Sequence, residues 1–110
     1  VFGFGGAVTM LAHERGNYDE AERQHQRALD IFKRLGDQAD KACTYSQLGI
    51  LGADRGGPVT VVIAWHVKAL MIRLRLGVPQ AVIELRRLAA CRRELGAESF
   101  TGLLSQAAGD

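Results

Sequence analysis

The stretch "PVTVVIAWHVKALMIRLRLG", Pro58 to Gly77, decides how this chain folds. Its opening run, Val59 to Ile63, is entirely β-branched and reads locally as a buried strand, whereas its second half carries charges at helical spacing. A sibling elsewhere in the chain resolves the conflict. When "QHQRALDIFKRLG" (Gln24 to Gly36) is set above "WHVKALMIRLRLG" (Trp65 to Gly77), an offset of 41, His25 falls on His66, Ala28 on Ala69 and Leu29 on Leu70. Ile31 likewise falls on Ile72, Arg34 on Arg75, Leu35 on Leu76 and Gly36 on Gly77. The sibling has no strand character, so the quoted stretch is expected to be helical. Five β-branched residues cost about 2 to 3 kcal/mol of helix propensity relative to alanine. Burying aliphatic side chains, at roughly 1.5 to 3 kcal/mol apiece, outweighs that cost.

The repeat extends in both directions. "LAHERG" (Leu11 to Gly16) matches "LGADRG" (Leu51 to Gly56) at an offset of 40, and the additional residue sits in the Gly56-Gly57-Pro58 turn. A weaker third copy places Gly16, Gly56 and Gly96 forty residues apart, with Val8, Leu48 and Leu88 in the same register. Each copy reads as two helices. In the first, Val8, Leu11 and Ala12 mark a helix ended by Gly16, and Asn17 with Glu20 forms a capping box that opens the next. That second helix presents Ala21, His25, Ala28, Phe32 and Leu35 on one face and stops at Gly36. Asp37 can cap a third helix with Ala42, Tyr45, Leu48 and Gly52 inward, and Pro58 and Pro79 suit the first turns of a fourth and fifth. Phe100, Leu103, Leu104, Ala107 and Ala108 define a sixth, with Gly109 as its stop. The expected architecture is all-α: a helical-hairpin solenoid of six helices in three repeats, 1–36, 37–77 and a degenerate 78–110.

These residues resemble the tetratricopeptide repeat family, whose pattern is W-x-x-L-G-x-x-Y followed by A-x-x-x-F. Tyr45-x-x-Leu48-Gly49-x-x-Gly52 copies the first half, and "GNYDEAERQHQRAL", with Ala21-x-x-x-His25, copies the second. The forty-residue spacing is similar to the variant found in kinesin light chains and bacterial signalling arrays. The chain departs from the pattern at His25 and His66, where the family prefers an aromatic, and at Gly5 and Arg92. The resemblance implies a non-enzymatic scaffold that binds protein, often within a larger signalling or regulatory chain. It also implies a concave wall lined by the first helix of each pair. In this register the wall presents Met10, His13 and Glu14, then Ser46, Gln47, Ile50, Ala53 and Asp54, then Arg86, Arg87, Ala90, Arg93 and Glu94. Its arginine end suits an acidic or C-terminal peptide. The carboxylate-clamp constellation of some family members is not reproduced, because Gln47 and Ser46 stand where asparagine and a basic residue are expected.

Bulk properties agree with a single domain. The chain has 110 residues, 47% of them hydrophobic, and a net charge of +2. Residues 1–57 hold seven basic against eight acidic side chains, and residues 58–110 hold seven against four. This asymmetry is too mild to announce nucleic-acid binding. No charge-free stretch is long enough to span a bilayer and no signal segment opens the chain, so the expected compartment is the cytoplasm. Val1 at the start and "AAGD" at the end also fit a piece of a longer protein.

The residues that could carry chemistry point instead to packing. His25 and His66 occupy equivalent core positions, and His13 is expected to face the wall. Cys43 and Cys91 lack the close spacing of metal ligands and read as buried free thiols. The "GFGG" of Gly3 to Gly6 lacks the spacing of a phosphate loop. No catalytic constellation is legible, and no cofactor or metal is expected. An enzyme accessory domain is one alternative reading. Another is a basic-helix nucleic-acid binder using "ELRRLAACRREL", Glu84 to Leu95, although no aromatic stacking platform accompanies it.

One surface stands out. The outward positions of the helix after Gly16 are Glu22, Arg23, Gln26, Asp30 and Lys33; their counterparts after Pro58 are Ile63, Ala64, Val67, Met71 and Leu74. An apolar stripe of that size needs a cover. The candidates are a second copy of the chain, the favoured reading, a different protein, or the chain's own terminal helices folding back.

Overall fold

Helix boundaries follow from capping chemistry written into the turns. The computed structural model describes residues 17–109, and within them five α-helices follow one another: α1 (Tyr18–Leu35), α2 (Gln38–Asp54), α3 (Val59–Leu76), α4 (Ala81–Leu95) and α5 (Ala97–Gly109). The helix expected around Val8, Leu11 and Ala12 lies outside the described residues, as does the Gly3 to Gly6 segment, so five of the six expected helices are seen. The Asn17 side chain accepts a hydrogen bond from the Glu20 amide at 3.2 Å, and the Asp37 side chain accepts one from the Asp40 amide at 3.0 Å. The reciprocal half of the expected capping box differs, since the Glu20 carboxylate binds Arg23 and Gln24 within its own helix. Gly36 and Gly77 close α1 and α3 with φ of 68° and 67°, a left-handed conformation that glycine adopts without strain. Pro58 sits one residue before α3 as its N-cap, and Pro79 two before α4, slightly outside the first turns expected for them.

Successive helices stack as hairpins, α1 on α2, α2 on α3, α3 on α4 and α4 on α5, which is a solenoid arrangement, and α3 also packs against α5. The stretch from Pro58 is therefore helical and central, with neighbours on three sides. Two apolar clusters form on it. Leu29, Ala42, Tyr45, Leu48, Ala69 and Ile72 join α1, α2 and α3, with the half-buried Trp65 ring stacked on Tyr45 at 5.6 Å between centroids. Val62, Ile63 and Val67 pack against Leu88, Cys91 and Phe100, joining α3 to α4 and α5, with Leu103, Leu104 and Ala107 at the margin. Complete burial of Val62 and Ile63 offsets the helix-propensity cost of their neighbours Thr60 and Val61, which remain exposed. Among inward residues expected on α1, Ala21, His25 and Phe32 are buried, but Leu35 is exposed at the helix end and Leu29 takes its place in the core.

The closest approach in the stack is at Gly49. A Cβ there would lie 2.5 Å from His66 Nε2, and the His66 ring is itself fully buried and unable to retreat. Gly49→Ala is therefore expected to destabilise the fold by about 1 to 3 kcal/mol. Urea denaturation of the variant against the parent chain checks this, and an unchanged midpoint would contradict the packing.

A groove cleft above a buried carboxylate

Beneath the junction of α2, α3 and α4 lies a buried polar cluster. Glu84 of α4 is completely inaccessible to solvent. Its Oε2 accepts a hydrogen bond from Ser46 Oγ of α2 at 3.2 Å and lies 3.3 Å from Nδ1 of His66 on α3. Its Oε1 accepts one from Arg73 Nη1 of α3 at 3.4 Å, and the same guanidinium nitrogen donates to the Gln80 carbonyl at 3.4 Å. An ionised carboxylate can only accept, so the His66 ring donates from Nδ1 whenever Glu84 is charged. Among the described residues no buried side-chain nitrogen or oxygen lacks a partner. Three helices thus converge on one charge, which burial makes costly unless it is paired. The Cys43 thiol lies near Arg73, and burial pushes its pKa up although the guanidinium opposes the shift.

Above this cluster the Gly56-Gly57 turn opens a cleft of about 430 Å³. Gly56 adopts φ 69°, and the Gly57 amide donates to the Gly52 carbonyl at 2.8 Å, folding the turn tightly over the end of α2. Small residues, Ala53, Gly56, Gly57 and Ala90, keep the cleft open; Val62, His66 and Cys91 form its floor. Arg87 and Glu94 stand among its lining residues, two turns apart on α4. Both are exposed, and neither makes a hydrogen bond or ion pair with another described residue. A second cleft, of about 290 Å³, lies toward α1 between Trp65, Leu48, Leu51 and Arg55. Its charges are already committed, because Arg55 binds Asp19 at 2.8 Å and Glu22 at 3.2 Å.

The structure sorts the expected wall residues. Ala53, Arg87, Ala90 and Glu94 come together in the larger cleft. Gln47 and Ile50 are half-buried on α2 and Asp54 is exposed at its end, while Arg86 and Arg93 are exposed on α4; none of these five lines the cleft. Ser46 does not belong to an accessible wall: it is buried and its hydroxyl is held by Glu84. Met10, His13 and Glu14 lie outside the described residues. His25 and His66 are both buried, as expected of packing positions. Cys91 is buried, but Cys43 is only partly so. Among the described residues no group of three or more His, Cys, Asp or Glu is placed to hold a metal, and no helix is long and apolar enough to cross a membrane.

The outer stripe is corrected more substantially. Ile63 is fully buried, Val67 nearly so, and Ala64 half-buried, because α5 lies over this part of α3 through Phe100, Leu103 and Leu104. The chain covers its own patch here. Only Met71 and Leu74, 45% and 60% exposed, remain open. The length of α5 explains the limit: it has 13 residues against the 18 of α3, which leaves it about 7 Å shorter at 1.5 Å per residue.

Glu84 and Arg73 are not among the expected site residues, and Ser46 is expected only on the wall, yet the repeat register contains a signal for the charged pair. At the offsets that align the copies, Phe32 becomes Arg73 and Thr44 becomes Glu84, two buried neutral residues replaced by opposite charges. Arg73→Met would leave Glu84 buried without its cationic partner and is expected to cost about 3 to 5 kcal/mol. Adding Glu84→Leu should recover most of that loss; urea midpoints of the two variants measure both effects, and additive losses would contradict the pairing.

The tetratricopeptide repeat family model matches residues 9–57. No curated protein and no solved structure matches the chain. The match covers the Leu11 to Gly16 signature, all of α1 and α2, and the Gly56-Gly57 turn, and the forty-residue spacing is consistent with the kinesin-light-chain-like variant. Over residues 9–57, somewhat less than half of its length, the chain is similar to the tetratricopeptide repeat family.

Proposed function

We propose that this chain is a non-enzymatic interaction module that takes an extended segment of an acidic protein partner along the wall formed by α2 and α4. It would serve as a scaffold within a cytoplasmic signalling or regulatory assembly. Tetratricopeptide repeats generally mediate protein–protein interaction, which gives the class of ligand. The observation that carries the location is the 430 Å³ cleft between these helices, which Arg87 lines; Arg86, Arg92 and Arg93 are exposed elsewhere on α4, and none of the four has a carboxylate partner among the described residues. Arginine on an exposed helix recognises carboxylates in a forked geometry and steers acidic partners at long range. A display library of random twelve-residue peptides tests the reading. Selected peptides should carry Asp or Glu on one side of a large apolar residue and should lose binding to Ala90→Trp, which fills the cleft. Selection of no peptide, or of peptides indifferent to that substitution, would overturn it. The same arginines could engage phosphates, so a labelled DNA duplex at low salt serves as the contrasting probe. No retention is expected, whereas retention that falls steeply with salt would favour the nucleic-acid reading.

Self-association is the second reading, favoured by the exposed Met71 and Leu74 beyond the reach of α5. Light scattering at tens of micromolar, on the order of the concentrations at which weak dimers populate, should then show a dimer that Leu74→Arg converts to monomer. A monomeric parent chain would remove this reading.

A further inference from the structure

Three features of the larger cleft define what it can accept. Its floor, Val62, His66 and Cys91, is buried: the His66 ring is tied to Glu84 through Nδ1, and burial raises the pKa of the Cys91 thiol. These floor residues are Val62, a thiol and the flat of an imidazole, so an inserted apolar side chain would meet mainly carbon and sulfur there and lose little by leaving water. Its walls, Ala53, Gly56, Gly57 and Ala90, are too small to fill the space, and 430 Å³ accommodates one large side chain. Its two charged residues, Arg87 and Glu94, are of opposite sign, share one face of α4, and have no ion-pair partner among the described residues.

We infer that this cleft is a bipolar peptide subsite: an extended partner segment inserts one large apolar side chain between an acidic residue paired with Arg87 and a basic residue paired with Glu94. The proposal rests on the peptide-binding reading above and adds a charge order to it. Seven helical residues separate the two charges by about 10 Å along α4. An extended chain advances about 3.3 Å per residue and alternates its faces, so residues two before and two after the anchor, about 13 Å apart, share its face within reach of both side chains. The bipolar rim also separates this cleft from the rest of α4, where exposed arginines favour uniformly acidic segments. A ligand with carboxylates on both sides of the anchor would place one of them against Glu94, and a doubly basic ligand would meet Arg87, so both are rejected by like charge. The opposite charges leave chain direction free, since either peptide polarity can satisfy them.

Single charge reversals test this, because each makes the rim uniform while leaving the floor and walls unchanged. Three synthetic blocked peptides serve as probes, each with a central Phe. Their flanking charges, two residues before and two after the Phe, are Glu and Lys, Glu and Glu, or Lys and Lys. Anisotropy titration of the full chain should rank the mixed-charge peptide first by about three- to tenfold, the range that rim ion pairs provide. Glu94→Arg should move the preference to the Glu and Glu peptide, and Arg87→Glu to the Lys and Lys peptide. Ala90→Trp should abolish binding of all three, with helical circular dichroism confirming that the variant is folded. Binding that Ala90→Trp removes but that ignores both charge reversals would overturn the bipolar subsite and leave groove binding intact. Binding of none of the three, or binding indifferent to Ala90→Trp, would overturn both.

Discussion

The carboxylate of Glu84 is the constraint on which the upper half of this solenoid depends. Placed at zero exposure on α4, it obliges α2 to supply Ser46 and α3 to supply both His66 and Arg73. Aliphatic residues tolerate many relative placements of their neighbours, but a buried charge tolerates few. The cluster therefore fixes which residues of three helices face one another. Its effect reaches Gly49, whose lack of a side chain admits the His66 ring that Glu84 holds. It also reaches the cleft, whose floor includes that ring.

The function follows from this placement. With the polar demand met below the surface, the cleft above offers an apolar floor, small walls and two unspent charges. Within it the histidine is committed to a carboxylate, and the thiol beside it is buried. What remains is shape and charge at the edge of a helix row, the physical basis on which helical repeats read extended segments of other proteins. The smaller cleft beside Trp65 differs because Arg55 is already bound to Asp19 and Glu22 and lies over the Tyr18 ring. There the same kinds of side chain staple α1 to α2.

Much of the fold was legible because it rests on local rules repeated at a fixed interval. Asn17, Asp37, Gly36 and Gly77 announce helix ends through their own backbone chemistry, and the His25 to His66 register assigns α3 as helix despite its β-branched opening. Arg87, Glu94, Ala53 and Ala90, which the family resemblance carried over in repeat register assigns to one wall, do line one cleft. Ser46 was misplaced there because register gives a helix face but not whether a long-range partner closes over it. Helical spacing shows which side of α3 is apolar and so marks Ile63 and Val67 as an outer stripe, while the packing of α5 onto that side depends on tertiary geometry. Glu84 escaped notice for a related reason. A glutamate in an arginine-rich helix looks solvated, and only its coordinated change with Arg73, against Thr44 and Phe32 in the earlier copy, marks it as buried.

If Glu84 couples the stack as described, α2, α3 and α4 open together. Residue-resolved amide hydrogen exchange in the native state measures this directly. The account predicts that the most protected amides of these three helices share one opening free energy, above those of the ends of α1 and α5. Exchange of α4 through an opening of its own, well below that of α2 and α3, would contradict it.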